Sequence, residues 1–259
     1  MGTVSKALVL LDLFDQSRTR IGLSDLARLS GQNKATVHRL MTELQARGFV
    51  EQVGAGREYR LGPAVLRLAA LRETAVPMRE TAQATVRALS DETEETAHMS
   101  LIEGDRLVAF AHAYSAVHGI RVTMEDADIL PWHATGSGLA ALAFSTPGRQ
   151  ERLLDQPLTR FTDRTLTDAD ALRPILEDVR RAGLAESLGG FEAEVHSCAA
   201  PLFDAVGTCI GALAVAAPTA RITPALLATM RTAVRRHAMA LTQHLGGCLP
   251  EDYPQDAAA

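Results

Sequence analysis

The stretch Asn33 to Arg47, NKATVHRLMTELQAR, decides how the amino-terminal part of the chain folds. Counted from Val37 at about 100° per residue, Leu40, Met41 and Leu44 fall on one side of a helix, and Gln32, Ala35, Arg39 and Thr42 fall on the other. One face suits a core and the other is presented. Upstream, Leu23, Leu26, Ala27 and Leu29 in LSDLARLS have the spacing of a short amphipathic helix, closed by the turn signal Ser30-Gly31. Downstream, GFVEQVGAGREYRLG reads as two short strands, Phe49 to Val53 and Glu58 to Leu61, joined by a glycine-containing hairpin with Arg57 at its tip. Helix, tight turn, helix and basic hairpin in this order make a winged helix-turn-helix, which lays its second helix in a DNA major groove. A few charges on an amphipathic helix ordinarily mark nothing more than a solvated face, so the order of the pieces carries the inference.

On this reading Gln32, Thr36 and Arg39 are expected at base edges, with Asn33 and His38 on the same surface, and Lys34 and Arg57 at phosphates. A helix from Val4 to Phe14 packs behind, through Val4, Ala7, Leu8, Leu11 and Phe14. Charge supports the placement. The whole chain carries a net −5, yet residues 1–73 hold 11 Lys plus Arg against 7 Asp plus Glu, which is +4, and leave −9 for the rest. Attraction to phosphate is thus confined to one end.

The 259 residues suffice for two domains, each with its own core. No apolar run is long enough to span a bilayer, and Asp12 and Asp15 interrupt the apolar amino terminus, so neither a membrane span nor a signal peptide is expected. Three cysteines without paired spacing suit a reducing interior, and the expected location is the cytoplasm. After the wing, Gly62-Pro63 opens AVLRLAALRE, so apolar on all sides that it reads as a linker and dimer contact, before Pro77 breaks the pattern. The domains expected are 1–62 for DNA binding, 63–76 for the linker, 77–247 for a second domain and 248–259 for a flexible tail. Within the second domain a helix runs from Met78 to Leu89, followed by strands at Glu95 to Ile102, Leu107 to Tyr114 and Gly119 to Met124. A helix starts at Thr135 or Gly136, another runs from Asp168 to Ala182, SCAAPLFD and CIGALAVAA are apolar strands, and a last helix covers Pro224 to Leu245. The class is α+β, one antiparallel sheet with flanking helices.

Candidate chemistry is sparse. Gly136-Ser137-Gly138 suggests a dinucleotide fingerprint, but Pro131-Trp132-His133 stands where an apolar strand is required. What remains is a helix amino terminus suited to a small carboxylate. Ser137 lacks the strand-turn-helix elbow of a nucleophile. His98, His112, His118, His133 and His196 lack metal-ligand spacing and read as structural, and Cys198 and Cys209 read as small core residues. No catalytic, metal or cofactor constellation is expected.

Taken together, VSKALVLLDLF, ATVHRLMTELQARGFV, PWHATGSGLAALAF and GLAESLGGFEAEVHSCAAPLFDAVGTCIGALAVAAPTARIT resemble the IclR-type bacterial transcription regulators over nearly the whole chain. The resemblance implies a winged helix-turn-helix, a linker helix and a GAF-like domain for a small effector, often carboxylate-bearing or aromatic. It also implies dimers, often dimers of dimers, on pseudo-palindromic operator DNA. Effector contacts are then expected at Trp132, His133, Thr135, Gly136, Ser137, Ser187, His196, Ser197 and Ala214. This chain departs from the family pattern: Ser187 replaces an acidic residue, Ser197 a cysteine, and Ala214 and Ala216 stand where some members have carboxylate-binding serines. Trp132 replaces an aliphatic residue, which points to a larger, partly apolar effector. The competing reading is a GAF-type sensor or enzyme whose amino-terminal helices serve assembly alone.

Overall fold

Leu26, Val37, Leu40 and Met41, set on the inner faces by helical spacing, are buried together with Leu10, Ile21, Val50 and Tyr59. The computed structural model describes residues 2–14, 18–54, 58–75, 78–125 and 127–254, and the chain divides into two units, Met1–Pro77 and Met78–Ala259. In the first, α1 (Thr3–Leu11), α2 (Leu23–Ser30) and α3 (Lys34–Ala46) precede the antiparallel pair β1 (Val50–Val53) and β2 (Glu58–Leu61), and α4 (Pro63–Ala75) follows. Gly31 closes α2 at φ +66°, a left-handed cap that a side chain would strain. Asn33 then starts α3, its side chain accepting from the Thr36 amide at 2.8 Å. Ile21 pairs with Tyr59 through two 2.9 Å backbone bonds, which fastens the chain before α2 to the wing.

The second unit is built on a five-stranded antiparallel sheet in the order β4-β3-β7-β6-β5. Its elements are α5 (Met78–Thr93), β3 (Thr96–Glu103), β4 (Arg106–Ala113), α6 (Gly136–Ala143), α7 (Pro147–Leu154), α8 (Ala169–Ala182), β5 (Ala185–Leu188), β6 (Val195–Phe203), β7 (Cys209–Pro218) and α9 (Pro224–His244). Both faces are covered, which is why β6 and β7 read as nearly continuous apolar runs. Cys198, Ala200, Leu202, Leu213 and Val215 point toward α5 and α9 and pack with Val86, Leu89, Met230 and Val234. Ala199, Phe203, Ala212 and Ala214 belong to the opposite core, with Leu139 to Phe144 and with Leu172 and Leu176 of α8.

Two expectations are corrected. Gly119 to Met124 forms no strand; the segment is held through Thr96 Oγ1 donating to the Val122 carbonyl at 2.8 Å and Tyr114 Oη accepting from the Met124 amide at 3.0 Å. Pairing with the outer edge of β4 falls instead to residues 127–130, where Leu130 N donates to Leu107 O and Val108 bridges Ile129. The tail expected to be flexible from 248 is packed as far as Pro254: Tyr253 is 2% exposed, lies 5.6 Å from both Phe144 and Phe203, and donates to the Gly183 carbonyl. An aromatic ring placed so satisfies both its apolar body and its hydroxyl, a gain large enough to order a short segment. Residues 255–259 lie outside the described ones.

Candidate functional site

On α3 the outward residues Lys34, Ala35, His38, Arg39 and Thr42 are exposed, while Val37 and Met41 are fully buried. The side chain of Asn33 is used as the helix cap, and Lys34 Nζ donates to Ser24 Oγ at 2.9 Å. Thr36 is half-buried beside them. Gln32 does not belong to this surface: it precedes the helix, so the 100° progression does not reach it, and its Nε2 donates to the Lys6 carbonyl of α1 at 3.1 Å. Arg57 lies outside the described residues.

The second unit encloses a cavity of about 320 Å³ on the α6 face of the sheet. Its sheet side is formed by His98, Ser197 and Ala216 on β3, β6 and β7, and its other walls by residues 122–124 and 128–130, 134–137 and 187–195 in part. The start of α6 comes very close to β6. A Cβ on Gly138 would lie 2.4 Å from the Pro131 carbonyl oxygen, so only hydrogen fits there, and one on Gly136 would lie 2.8 Å from Ser197 Oγ and displace that hydroxyl. The helix is capped from within: Gly136 N donates to Ser197 Oγ at 3.2 Å and Gly138 N to Thr135 Oγ1 at 2.9 Å. Ser187 Oγ donates to the Ala134 carbonyl at 2.7 Å. Two of the three first-turn amides of α6 are therefore occupied by the protein's own hydroxyls.

Facing the cavity, His98 is 5% exposed, with Nε2 2.9 Å from Ser137 Oγ. Its Nδ1 is buried and has no hydrogen-bond partner among the described residues. Burial, with a smaller contribution from the charge of His112, pushes the imidazole down to about 4, so the ring is neutral near pH 7. A serine beside a histidine is two thirds of a nucleophilic triad, but among the described residues no acidic group orients Nδ1 of His98. The pair supplies neutral hydrogen-bonding groups.

Thr135, Gly136, Ser137, Ser187 and Ser197 are thus gathered at the cavity as expected from sequence. Four others are not. Ala214 lies on the same sheet face but is fully buried under α6. Trp132 packs partly buried against the α6-face core, its Nε1 donating to the Asp105 carbonyl at 3.0 Å, and His133 Nε2 is 2.8 Å from the Thr159 carbonyl. His196 neighbours Ser197 on a strand, so it points through the opposite face. There its Nε2 lies 3.2 Å from Glu186 Oε2, and Arg231 of α9 donates to both Glu186 oxygens at 2.9 and 3.0 Å. The hydrogen bond from His196, followed by that from Arg231, holds the Glu186 carboxyl below its usual range against partial burial. Cys198 joins this group, all three potential ligand atoms lying within 4.8 Å of one another. Arg231 of α9 pairs with Glu186 of β5, which His196 of β6 also contacts, so the cluster ties α9 to the sheet.

Sequence reasoning missed His98, Phe191 and the wall at residues 122–124 and 128–130. His98 carried a usable signal: it is a polar residue at an inward position of an otherwise buried strand. The wall carried none, because its residues belong to irregular backbone.

The chain matches the family described as "IclR helix-turn-helix domain" over residues 3–54 and that described as "Bacterial transcriptional regulator IclR C-terminal" over residues 71–243. It is 30% identical to the HTH-type transcriptional regulator XynR of Escherichia coli (strain K12), over 94% of this chain and 97% of that protein. Among solved structures it resembles a protein from Silicibacter sp. TM1040 assigned to the ICLR transcriptional regulators, with 54% identity, a TM-score of 0.85 and coverage of 98% and 100% of the two chains. It also resembles an IclR homolog from Microbacterium hydrocarbonoxydans complexed with 4-hydroxybenzoate, with 25% identity, a TM-score of 0.58 and coverage of 94% and 99%. With both units matched and in the same order, the chain belongs to the IclR family of bacterial transcriptional regulators.

Proposed function

We propose that this regulator, in the cytoplasm, binds pseudo-palindromic operator DNA as a homodimer, and that a small molecule in the α6-face cavity shifts its operator affinity. The observation that carries the proposal is the cavity: a partly open volume of about 320 Å³ where His98, Ser137 and Ser197 converge beside apolar walls. The Microbacterium homolog holds 4-hydroxybenzoate, a ligand of comparable modest size. DNA is read by α3, with Thr36, His38 and Arg39 toward bases and Lys34 and Arg57 toward phosphates; Asn33 sets the helix start, and Gln32 is left to packing. Support for the dimer comes from α4, whose Leu66, Leu68 and Leu71 are 75%, 42% and 57% exposed in the single chain. Two reading helices are then set about 34 Å apart, or a multiple of it.

A duplex from the gene's own upstream region, followed by fluorescence anisotropy over a salt series, tests the DNA arm. Specific binding with a steep negative salt slope is expected. Equal affinity for scrambled duplex would return the amino-terminal helices to a purely assembling role.

A further inference from the structure

We propose that Glu186, His196 and Cys198, on the α9 face of the sheet, form a binding site for a single thiophilic divalent cation of the zinc class. His196 and Cys198 stand two residues apart on β6 and so share a face, and Glu186 of β5 is the direct cross-strand partner of Cys198. One imidazole nitrogen, one thiol sulfur and one carboxylate oxygen thus lie within 4.8 Å of one another, with His196 Nε2 3.2 Å from Glu186 Oε2. Around a tetrahedral zinc, bonds of about 2.0–2.3 Å set neighbouring ligand atoms roughly 3.3–3.8 Å apart, so the sheet holds these three to within about 1 Å of that spacing. Side-chain rotation covers the remainder. The thiols of Cys209 and Cys248 donate to the Gly211 and Ala205 carbonyls, whereas that of Cys198, fully buried, has no hydrogen-bond partner among the described residues.

The donor set selects the ion. Sulfur with imidazole favours zinc over magnesium and calcium, which take oxygen ligands, and three protein ligands leave a fourth position to water. Binding deprotonates the thiol: the Cys198 S–H bond breaks, the sulfur lone pair coordinates the cation and the proton leaves to solvent. The two charges of the ion are then matched by one thiolate and one carboxylate, so the complex placed in the core is neutral. Burial pushes the free thiol up to about 12, and a coordinated dication reverses that effect. Arg231 is the competitor. Its guanidinium donates to both Glu186 oxygens at 2.9 and 3.0 Å, so it and a metal are alternative partners for one carboxylate. The side chains of Arg231 and Glu186 are 43% and 31% exposed, which gives the cation an entry path and lets the guanidinium turn into solvent. Glu186 is held by α9 in one state and by the metal in the other, and loading loosens the tie between that helix and the sheet.

Untagged full-length protein, freed of metal with a chelator, is titrated near neutral pH with cobalt(II), whose sulfur-to-metal charge-transfer band reports thiolate coordination, and with zinc(II) against a chromophoric chelator. One equivalent per chain, with the band, is expected. Cys198→Ser should abolish the band, and His196→Gln should weaken zinc binding at least about tenfold. Cys248→Ser, which alters the exposed thiol, should change neither. Arg231→Gln should strengthen zinc binding about tenfold by freeing Glu186 and removing a like charge, a gain that a misfolded variant does not produce. Absence of the band from both the parent and Arg231→Gln up to millimolar cobalt overturns the proposal. A band that survives Cys198→Ser or vanishes with Cys248→Ser does the same, by placing the metal at another thiol or at none. Equal zinc affinity in Arg231→Gln and the parent also overturns it, because Glu186 is then no ligand.

Discussion

His196 and Ser197 are adjacent in β6, yet one belongs to a packed ion network and the other to a cavity. The sheet's two faces differ in the same way. Toward α5 and α9, side chains from Met99 to Val234 form a buried apolar core, and Arg231 neutralises the Glu186 carboxylate at its side. Toward α6, the core closes around Leu139 and Ala214 but opens beyond Ala216, where polar groups are left facing empty volume. A strand assigns alternate residues to different environments, so membership of a site is decided by parity before chemistry. The helix α3 repeats the division, with Val37 and Met41 fully buried and Arg39 exposed.

Substitutions cut into each face should differ most in cost. Leu213→Ala on the packed face should cost about 2–5 kcal/mol in urea unfolding, because the deleted atoms leave a void. Ala216→Leu on the open face should stay within about 1 kcal/mol of the parent, since it enters existing space. Equal penalties would mean that the two faces are packed alike.

The two faces should also differ in their response to pH, through His98. The folded imidazole is held near 4 against an ordinary value of about 6.5, so the unfolded chain takes up a proton first as pH falls. Its contribution is intact above about pH 6.5 and is lost progressively down to about pH 4. Relative to His98→Gln, the parent should lose on the order of 3 kcal/mol across that window. Parallel curves for the two proteins would show that the ring is not held neutral.

Smaller effects are expected at the reading helix. Arg39→Ala should weaken specific operator binding by about 1–3 kcal/mol and relax sequence preference, with little change in melting temperature. Asn33→Ala should do the reverse, costing about 1 kcal/mol of stability through the lost cap. Were Arg39→Ala to leave anisotropy curves on operator and scrambled duplex unchanged, another face of the unit would be reading the DNA.

The sequence was most informative where periodicity met packing. The spacing of Val37, Leu40 and Met41 located a helix and its inner face, and the two apolar runs around Asp204 to Gly207 became β6 and β7. It was least informative where position depends on contacts distant in sequence. Helical angles extended to Gln32 failed because Asn33 caps the helix after it. His196 was misplaced although strand alternation alone opposes it to Ser197. Trp132 and His133 were misplaced for a different reason: their polar atoms bond the Asp105 and Thr159 carbonyls, partners no local pattern reveals. Tyr253 likewise finds its place through Phe144, Phe203 and Gly183, all far away in sequence.

The central claim is that occupancy of the α6-face cavity controls DNA binding. Operator affinity should therefore be measured by anisotropy for the parent and for Ala216→Leu, each with and without a compound that perturbs His98. A shift of roughly 5- to 150-fold is expected in the parent and none in the variant, whose unliganded affinity stays near that of the parent. A compound that shifts the variant as far as the parent, or that fills the parent's cavity without changing operator affinity, would contradict it.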